Sequence, residues 1–280
     1  MNTSNITFIG GGNMARNIVV GLIANGYDPN RICVTNRSLD KLDFFKEKCG
    51  VHTTQDNRQG ALNADVVVLA VKPHQIKMVC EELKDILSET KILVISLAVG
   101  VTTPLIEKWL GKASRIVRAM PNTPSSVRAG ATGLFANETV DKDQKNLAES
   151  IMRAVGLVIW VSSEDQIEKI AALSGSGPAY IFLIMEALQE AAEQLGLTKE
   201  TAELLTEQTV LGAARMALET EQSVVQLRQF VTSPGGTTEQ AIKVLESGNL
   251  RELFIKALTA AVNRAKELSK TVDQENLYFQ

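Results

Sequence analysis

The strongest chemical signal in the sequence is Phe8-Ile9-Gly10-Gly11-Gly12-Asn13-Met14-Ala15, which fits G-x-G-x-x-G/A with Gly10, Gly12 and Ala15 in the three slots. The first glycine allows a tight turn, the second lets backbone approach a pyrophosphate, and the third small residue keeps helix close to strand. Free N–H groups at the helix start, around Asn13 and Met14, would then face phosphates with the helix dipole assisting. The competing reading is a glycine turn that binds nothing. A second apolar run ends in Thr35-Asn36-Arg37-Ser38, with no acid before Asp40. An NAD site carries Asp or Glu there for the ribose 2′-hydroxyl. Arg37 suits a 2′-phosphate instead, with Asn36 and Ser38 supplying hydrogen bonds. NADPH is therefore the expected cofactor and NADH the alternative, against a reading of Arg37 as a solvated surface arginine.

Other candidates carry less. Lys72 and Pro73 close a third apolar run, where cofactor residues gather in such folds, but a solvated lysine beside a strand-ending proline fits equally well. Asn122 and Thr123, between Pro121 and Pro124, form a rigid polar loop that could meet a nicotinamide or be only a stiff turn. Cys33, Cys49 and Cys80 have neither metal-ligand spacing nor the density of a disulfide framework, and His52 and His74 show no zinc spacing. No metal is expected, and idle thiols in a reducing cytoplasm are the simpler reading.

These groups need elements to hold them. Ile6–Ile9, Ile32–Thr35, Val66–Val71 and Ile92–Ser96 read as strands, the last two apolar enough to be buried on both faces of a parallel sheet. Helical stretches such as Asn13–Ala24 and Gln75–Leu87 alternate with them, which predicts a Rossmann-type doubly wound α/β domain. Its ligand would lie at the carboxyl ends of the strands. Near Ser162-Ser163 the pattern changes, and Ala, Leu, Glu and Gln dominate. Ile181–Leu195, Lys199–Leu218, Thr238–Leu245 and Leu250–Leu268 carry helical spacing, with small residues such as Ala213, Ala217, Ala257 and Ala261 allowing close helix approach. The expected division is a dinucleotide-binding domain at 1–162 and an all-helical domain at 163–272. Glu275 to Gln280 reads as the remnant of a protease-site tag.

Composition agrees with two domains: 280 residues, at roughly 150 per domain. Twenty-nine Lys and Arg against 32 Asp and Glu leave a charge of -3, no footprint for nucleic acid or an anionic membrane. The first residues lack the basic region of a signal peptide, and no apolar run is expected to reach the roughly 18 residues of a span.

Several blocks together carry a family resemblance: Gly10 to Ala15, Ala70-Val71-Lys72-Pro73, Ala98-Val99-Gly100-Val101, Met120-Pro121-Asn122-Thr123-Pro124, Leu173-Ser174-Gly175-Ser176-Gly177-Pro178-Ala179-Tyr180 and Val231-Thr232-Ser233-Pro234-Gly235-Gly236-Thr237-Thr238. The series resembles pyrroline-5-carboxylate reductase from about Ile6 to about Leu268. The resemblance implies NAD(P)H-dependent reduction of the cyclic imine 1-pyrroline-5-carboxylate to L-proline, the last step of proline biosynthesis. It also implies a helical domain that dimerises, within larger rings such as a decamer, and an active site between domains that needs two chains. By the same resemblance Ala70 and Lys72 lie near the cofactor. The substrate carboxylate is held by backbone amides of the loop Ser233 to Thr238, including Gly235, Gly236 and Thr237. Thr238 hydrogen-bonds the ring nitrogen, Ser233 helps hold the carboxylate, and Glu221 stands near the substrate region.

The residues fit that chemistry. A helix start suits a carboxylate, although Thr237, Thr238 and Glu239 could equally cap the helix. A protonated imine already accepts hydride well, so no tuned His/Asp pair is required. The alternatives are a β-hydroxyacid dehydrogenase-like oxidoreductase, whose catalytic lysine has no counterpart between Pro178 and Leu195, and a non-catalytic nucleotide-binding sensor.

Overall fold

A computed structural model describes residues 4–88, 90–111 and 113–275. Its center is one eight-stranded sheet: β1 (Ile6–Ile9), β2 (Ile32–Thr35), β3 (His52–Thr54), β4 (Val66–Leu69), β5 (Leu93–Ser96), β6 (Arg115–Met120), β7 (Gly130–Ala136) and β8 (Gly156–Trp160). The spatial order is β3-β2-β1-β4-β5-β6-β7-β8. Strands β1 to β6 are mutually parallel, β7 runs antiparallel to β6, and β8 is parallel to β7. The first six repeat the order of dinucleotide-binding folds, and β7 and β8 extend that edge. Register aligns Ile9 with Thr35 on one side and with Leu69 on the other. Gly10, Asn36 and Ala70, each the next residue in its chain segment, therefore leave the sheet side by side.

The helices are α1 (Asn13–Ala24), α2 (Leu39–Cys49), α3 (Asn57–Ala61), α4 (Ile76–Leu87), α5 (Thr103–Leu110), α6 (Lys142–Arg153), α7 (Asp165–Ile170), α8 (Gly177–Gln194), α9 (Lys199–Glu219), α10 (Val224–Phe230), α11 (Thr237–Ser247) and α12 (Leu250–Glu275). Two apolar cores form, one on each face of the sheet. Phe8, Ile18, Val34, Phe45 and Ile151 belong to one; Ile9, Leu69, Ile76, Leu83 and Trp109 belong to the other. The alternation of faces along β1, with Phe8 in one core and Ile9 in the other, is the period of two expected of a strand covered on both sides. Burial pushes the Cys80 thiol up to about 12 and the Cys33 thiol up to about 11, so both stay neutral and unreactive.

Four strands correspond to the sequence expectation and four were not foreseen. His52-Thr53-Thr54 is short and polar, β6 carries two arginines, β7 is glycine-rich, and β8 buries only Val158. Strand β4 ends at Leu69 rather than Val71, because Ala70 is already turning away after its amide bonds the Ile9 carbonyl at 2.9 Å.

Compactness divides the chain into two units, one of residues 1–176 and 261–280 and the other of residues 177–260. The expected boundary at Ser162-Ser163 thus marks the change of composition, while the change of packing comes later. The reason is Arg118: this almost wholly buried guanidinium on β6 pairs with Glu164 at 2.9 Å and with Glu168 on α7 at 3.1 Å. Glu164 also accepts from the Thr103 amide at 2.7 Å and hydroxyl at 2.9 Å, at the start of α5. The residues just after the composition change are therefore bound to the sheet. The tail of α12 also belongs to the first unit, where a Cβ on Gly100 would come within 3.3 Å of the Ser269 amide nitrogen.

The second unit contains α8 to α11 and the first part of α12. Among the described residues no strand follows Trp160. Helices α8, α10 and α11 bury no residue, and α9 buries only Ala202 and Thr206. One helical run, Asp165–Gln194, is long and apolar enough to cross a membrane by length and composition. That corrects the expectation that no run approaches such a length. Of the expected tag remnant, Glu275 ends α12 and the rest lies outside the described residues.

Candidate active site

The glycine turn between β1 and α1 is a backbone device. Gly10 has φ +106° and donates its amide to the Thr35 carbonyl at 3.0 Å. A Cβ there would meet the Ala70 carbonyl oxygen at 2.8 Å, so only glycine fits. Gly12 differs: a Cβ on it would meet nothing within 4 Å, leaving an open approach over the start of α1. Gly12 is the N-cap residue, no side chain caps the helix, and its first turn of Asn13, Met14 and Ala15 holds no acid. The first-turn amides and the positive end of the dipole are thus presented to an anion. This cradle suits the pyrophosphate of a dinucleotide.

Beside the turn lies a cleft of about 270 Å³ that gathers Gly10, Asn36, Arg37, Lys41, Lys72 and His74. None of its described lining residues carries a carboxylate. Asn36 Oδ1 accepts from the Ser38 amide at 3.0 Å, fixing the turn into α2, and Ser38 is the N-cap residue of α2 with no side-chain cap bond of its own. Arg37 reaches across the cleft, its Nη2 lying 3.4 Å from the Met78 sulfur. Pro73 opens a single 3₁₀ turn, Pro73–Gln75, that sets Lys72 and His74 at the cleft edge. Lys41 and His74 were not foreseen. Their signal was proximity, one residue in the first turn of the helix after Arg37 and the other two residues after Lys72. A larger cleft, about 440 Å³, is lined by Asn5, Arg31, His52 and Gln59. It shares no residue with the glycine turn and holds no group that the chemistry needs.

Asn122 is placed differently from its expectation as a cofactor contact. Its side chain is buried, with Oδ1 accepting from the Ala131 amide at 2.8 Å and Nδ2 donating to the Ser174 carbonyl at 2.9 Å. The amide is committed to tying the start of β7 and the Ser174 segment to the end of β6. That segment forms a π-turn, Ala171–Gly175, before Gly177 and Pro178 open α8, a helix start that suits proline.

In the second unit, Ser233 to Gly236 form a tight turn closed by the Gly236 amide donating to the Ser233 carbonyl at 3.0 Å. Pro234 followed by Gly235 at φ +75° is the pattern of a type II turn. Gly236 is then the N-cap residue of α11, with no side-chain cap bond from that residue. The amide inventory narrows the expected carboxylate site. Gly236 spends its N–H inside the turn, and Gly235 donates to Glu239 Oε2 at 2.9 Å. The first-turn amides of Thr237 and Thr238 are left facing outward. Gly236 fills the N-cap position, so the hydroxyls of Thr237 and Thr238 do not, and Glu239 reaches back only to the Gly235 amide before it. The Gly235 amide, aided by Lys243, holds the Glu239 carboxyl below the usual glutamate range. Ser233, Thr237 and Thr238 are exposed, as is Glu221 in the bend between α9 and α10.

Similarity to known proteins also divides the chain in two, with the second match beginning at residue 164. Residues 5–100 match the family described as NADP oxidoreductase, coenzyme F420-dependent, and residues 164–268 match pyrroline-5-carboxylate reductase dimerisation. The second match contains the whole of the apolar run Asp165–Gln194. The pyrroline-5-carboxylate reductase of Pseudomonas aeruginosa is 42% identical over 98% of this chain and 100% of its own length. That of Vibrio alginolyticus is 45% identical over 96% and 99%. The solved structure of Plasmodium falciparum pyrroline carboxylate reductase with NADP bound superposes with a TM-score of 0.84, at 27% identity, covering 96% of this chain and 99% of that one. With both halves matched and relatives aligned end to end, the chain belongs to the pyrroline-5-carboxylate reductase family.

Proposed function

We propose that this protein reduces 1-pyrroline-5-carboxylate to L-proline, the last step of proline biosynthesis, using NADPH in preference to NADH. The observation that carries the reading is the full-length likeness to reductases of that name, and the Ser233-to-Gly236 turn at the start of α11 supports it by leaving a helix N-terminus that suits a carboxylate. When bound, the reduced nicotinamide supplies the hydride. The residues of this chain have the remaining work. The α1 start and Gly12 take the pyrophosphate. Arg37, with Lys41 beside it and no acid lining the cleft, favors a 2′-phosphate over a bare ribose hydroxyl. The amides of Thr237 and Thr238 hold the substrate carboxylate, Ser233 flanks it, and the Thr238 hydroxyl bonds the ring nitrogen. As hydride adds to the imine carbon, the C=N π electrons are left on a nitrogen that is already protonated, giving the secondary amine.

The exposed apolar side chains of α8, among them Ile181, Phe182 and Leu183, support a homodimer, and a ring such as a decamer would be built from it. A cytoplasmic setting agrees with three free thiols.

The test is a reductase assay followed by loss of reduced-nicotinamide absorbance. Wild type turns over the imine with a lower KM for NADPH than for NADH. Thr238→Ala lowers kcat/KM by about tenfold or more, and Arg37→Ala erases the cofactor preference. No turnover of the imine would sink the reading, and equal use of both cofactors would sink the NADPH assignment.

A further inference from the structure

The turn that receives the substrate carboxylate already carries a carboxylate of its own. Glu239 Oε2 accepts from the Gly235 amide at 2.9 Å, and Lys243 Nζ stands 3.4 Å from the same oxygen. An amide held at φ +75° in a tight turn points in a fixed direction, and a charge-assisted bond to it is stronger than a neutral one. Resting on the reading above, we propose that Glu239 is an internal competitor of the substrate carboxylate, withholding the Gly235 amide and placing a negative charge beside the binding site, so that it sets the affinity for the imine.

The chemistry gives the proposal its sign. Backbone N–H groups are finite in number. Gly236 has spent its own on Ser233, so Gly235 offers the turn's next donor beyond the start of α11. While Glu239 occupies it, the incoming carboxylate has one donor fewer and a like charge nearby. A capping acid with no other role leads to the opposite result: its loss loosens the turn and weakens substrate binding.

The experiment compares Glu239→Gln and Glu239→Ala with wild type in KM and kcat for the imine. It adds calorimetric titration with a non-reacting saturated five-membered ring carboxylate, in the presence of oxidised cofactor. The expected result is a KM and a calorimetric Kd lowered about threefold to tenfold in Glu239→Ala, less in Glu239→Gln. The kcat and the KM for NADPH stay within about twofold. Thermal melting identifies any variant that has lost its fold, and Glu239→Gln, which keeps an oxygen within reach of Gly235, guards against that outcome. A KM and Kd unchanged or raised in both variants overturns the proposal while leaving the reductase assignment intact. Failure of wild type to reduce the imine overturns the assignment itself.

Discussion

The two compact units differ in how much of their apolar surface they satisfy alone. In the sheet unit, β1, β4 and β5 are buried throughout, and even the guanidinium of Arg118 is enclosed and paired. In the helical unit, α8 is the most apolar long helix of the chain and buries nothing. Exposed apolar surface of that extent marks an interface. The contrast teaches that one unit is completed by its own sequence and the other by a second copy, which is where the dimerisation match falls.

The largest expected effect lies inside the self-sufficient unit. Arg118→Ala strands Glu164 and Glu168 in a mostly buried place, with Glu164 left only its bonds to Thr103 at the start of α5. Breaking a buried pair in this way costs about 3–5 kcal/mol. The measurement is denaturant unfolding, expected to show a lower midpoint with an unchanged slope. A loss below about 1 kcal/mol would mean that the cluster behaves as a surface pair.

The next effect tests the other side. Phe182 is 59% exposed in the single chain, so Phe182→Asp breaks no contact on which the chain's own fold depends. It places a charge where an aromatic anchor would meet the partner, which is worth about 2 kcal/mol or more at an interface. Light scattering should show the assembly falling to monomer, with imine turnover reduced and NADPH binding kept. An assembly of unchanged mass would remove α8 from the interface and with it half of the contrast.

Legibility in the sequence divides along the same line. The glycine turn, the Asn36-Arg37-Ser38 corner and the four apolar strands were readable because each is local: a spacing, a run, or a residue type at a strand end. The helices of the second unit were readable from period, and their exposure followed from the resemblance. What could not be read depends on residues far apart in the chain. Arg118 meets Glu164 and Glu168 only after β6 and α7 have folded, so its role left no local pattern. Asn122 looked like a cofactor contact because it sits in a rigid loop, but its amide is consumed by Ala131 and Ser174. Gly235 and Gly236 looked like carboxylate donors, but the Gly236 amide closes the turn on Ser233 and the Gly235 amide goes to Glu239, four residues on. Strands β3, β6, β7 and β8 escaped because polar, charged or glycine-rich segments become strands only through their neighbors.

The smallest effect separates fold from ligand within a single motif. Gly10→Ala forces a Cβ to within 2.8 Å of the Ala70 carbonyl oxygen at a φ of +106°. It should lower stability by about 1–3 kcal/mol and weaken NADPH only as a consequence. Gly12→Ala meets nothing in the protein, and its added methyl group intrudes only on the space that a pyrophosphate would occupy. Its Tm should stay within about 2 °C of wild type, while the NADPH Kd rises about tenfold, equivalent to about 1.4 kcal/mol. Melting and cofactor titration on the two variants therefore give opposite pairs of results. Should Gly12→Ala melt early, or bind NADPH as wild type does, the open face over α1 is not the phosphate seat. The open face over α1 would then need another occupant, and the cofactor phosphates another seat in the sheet unit.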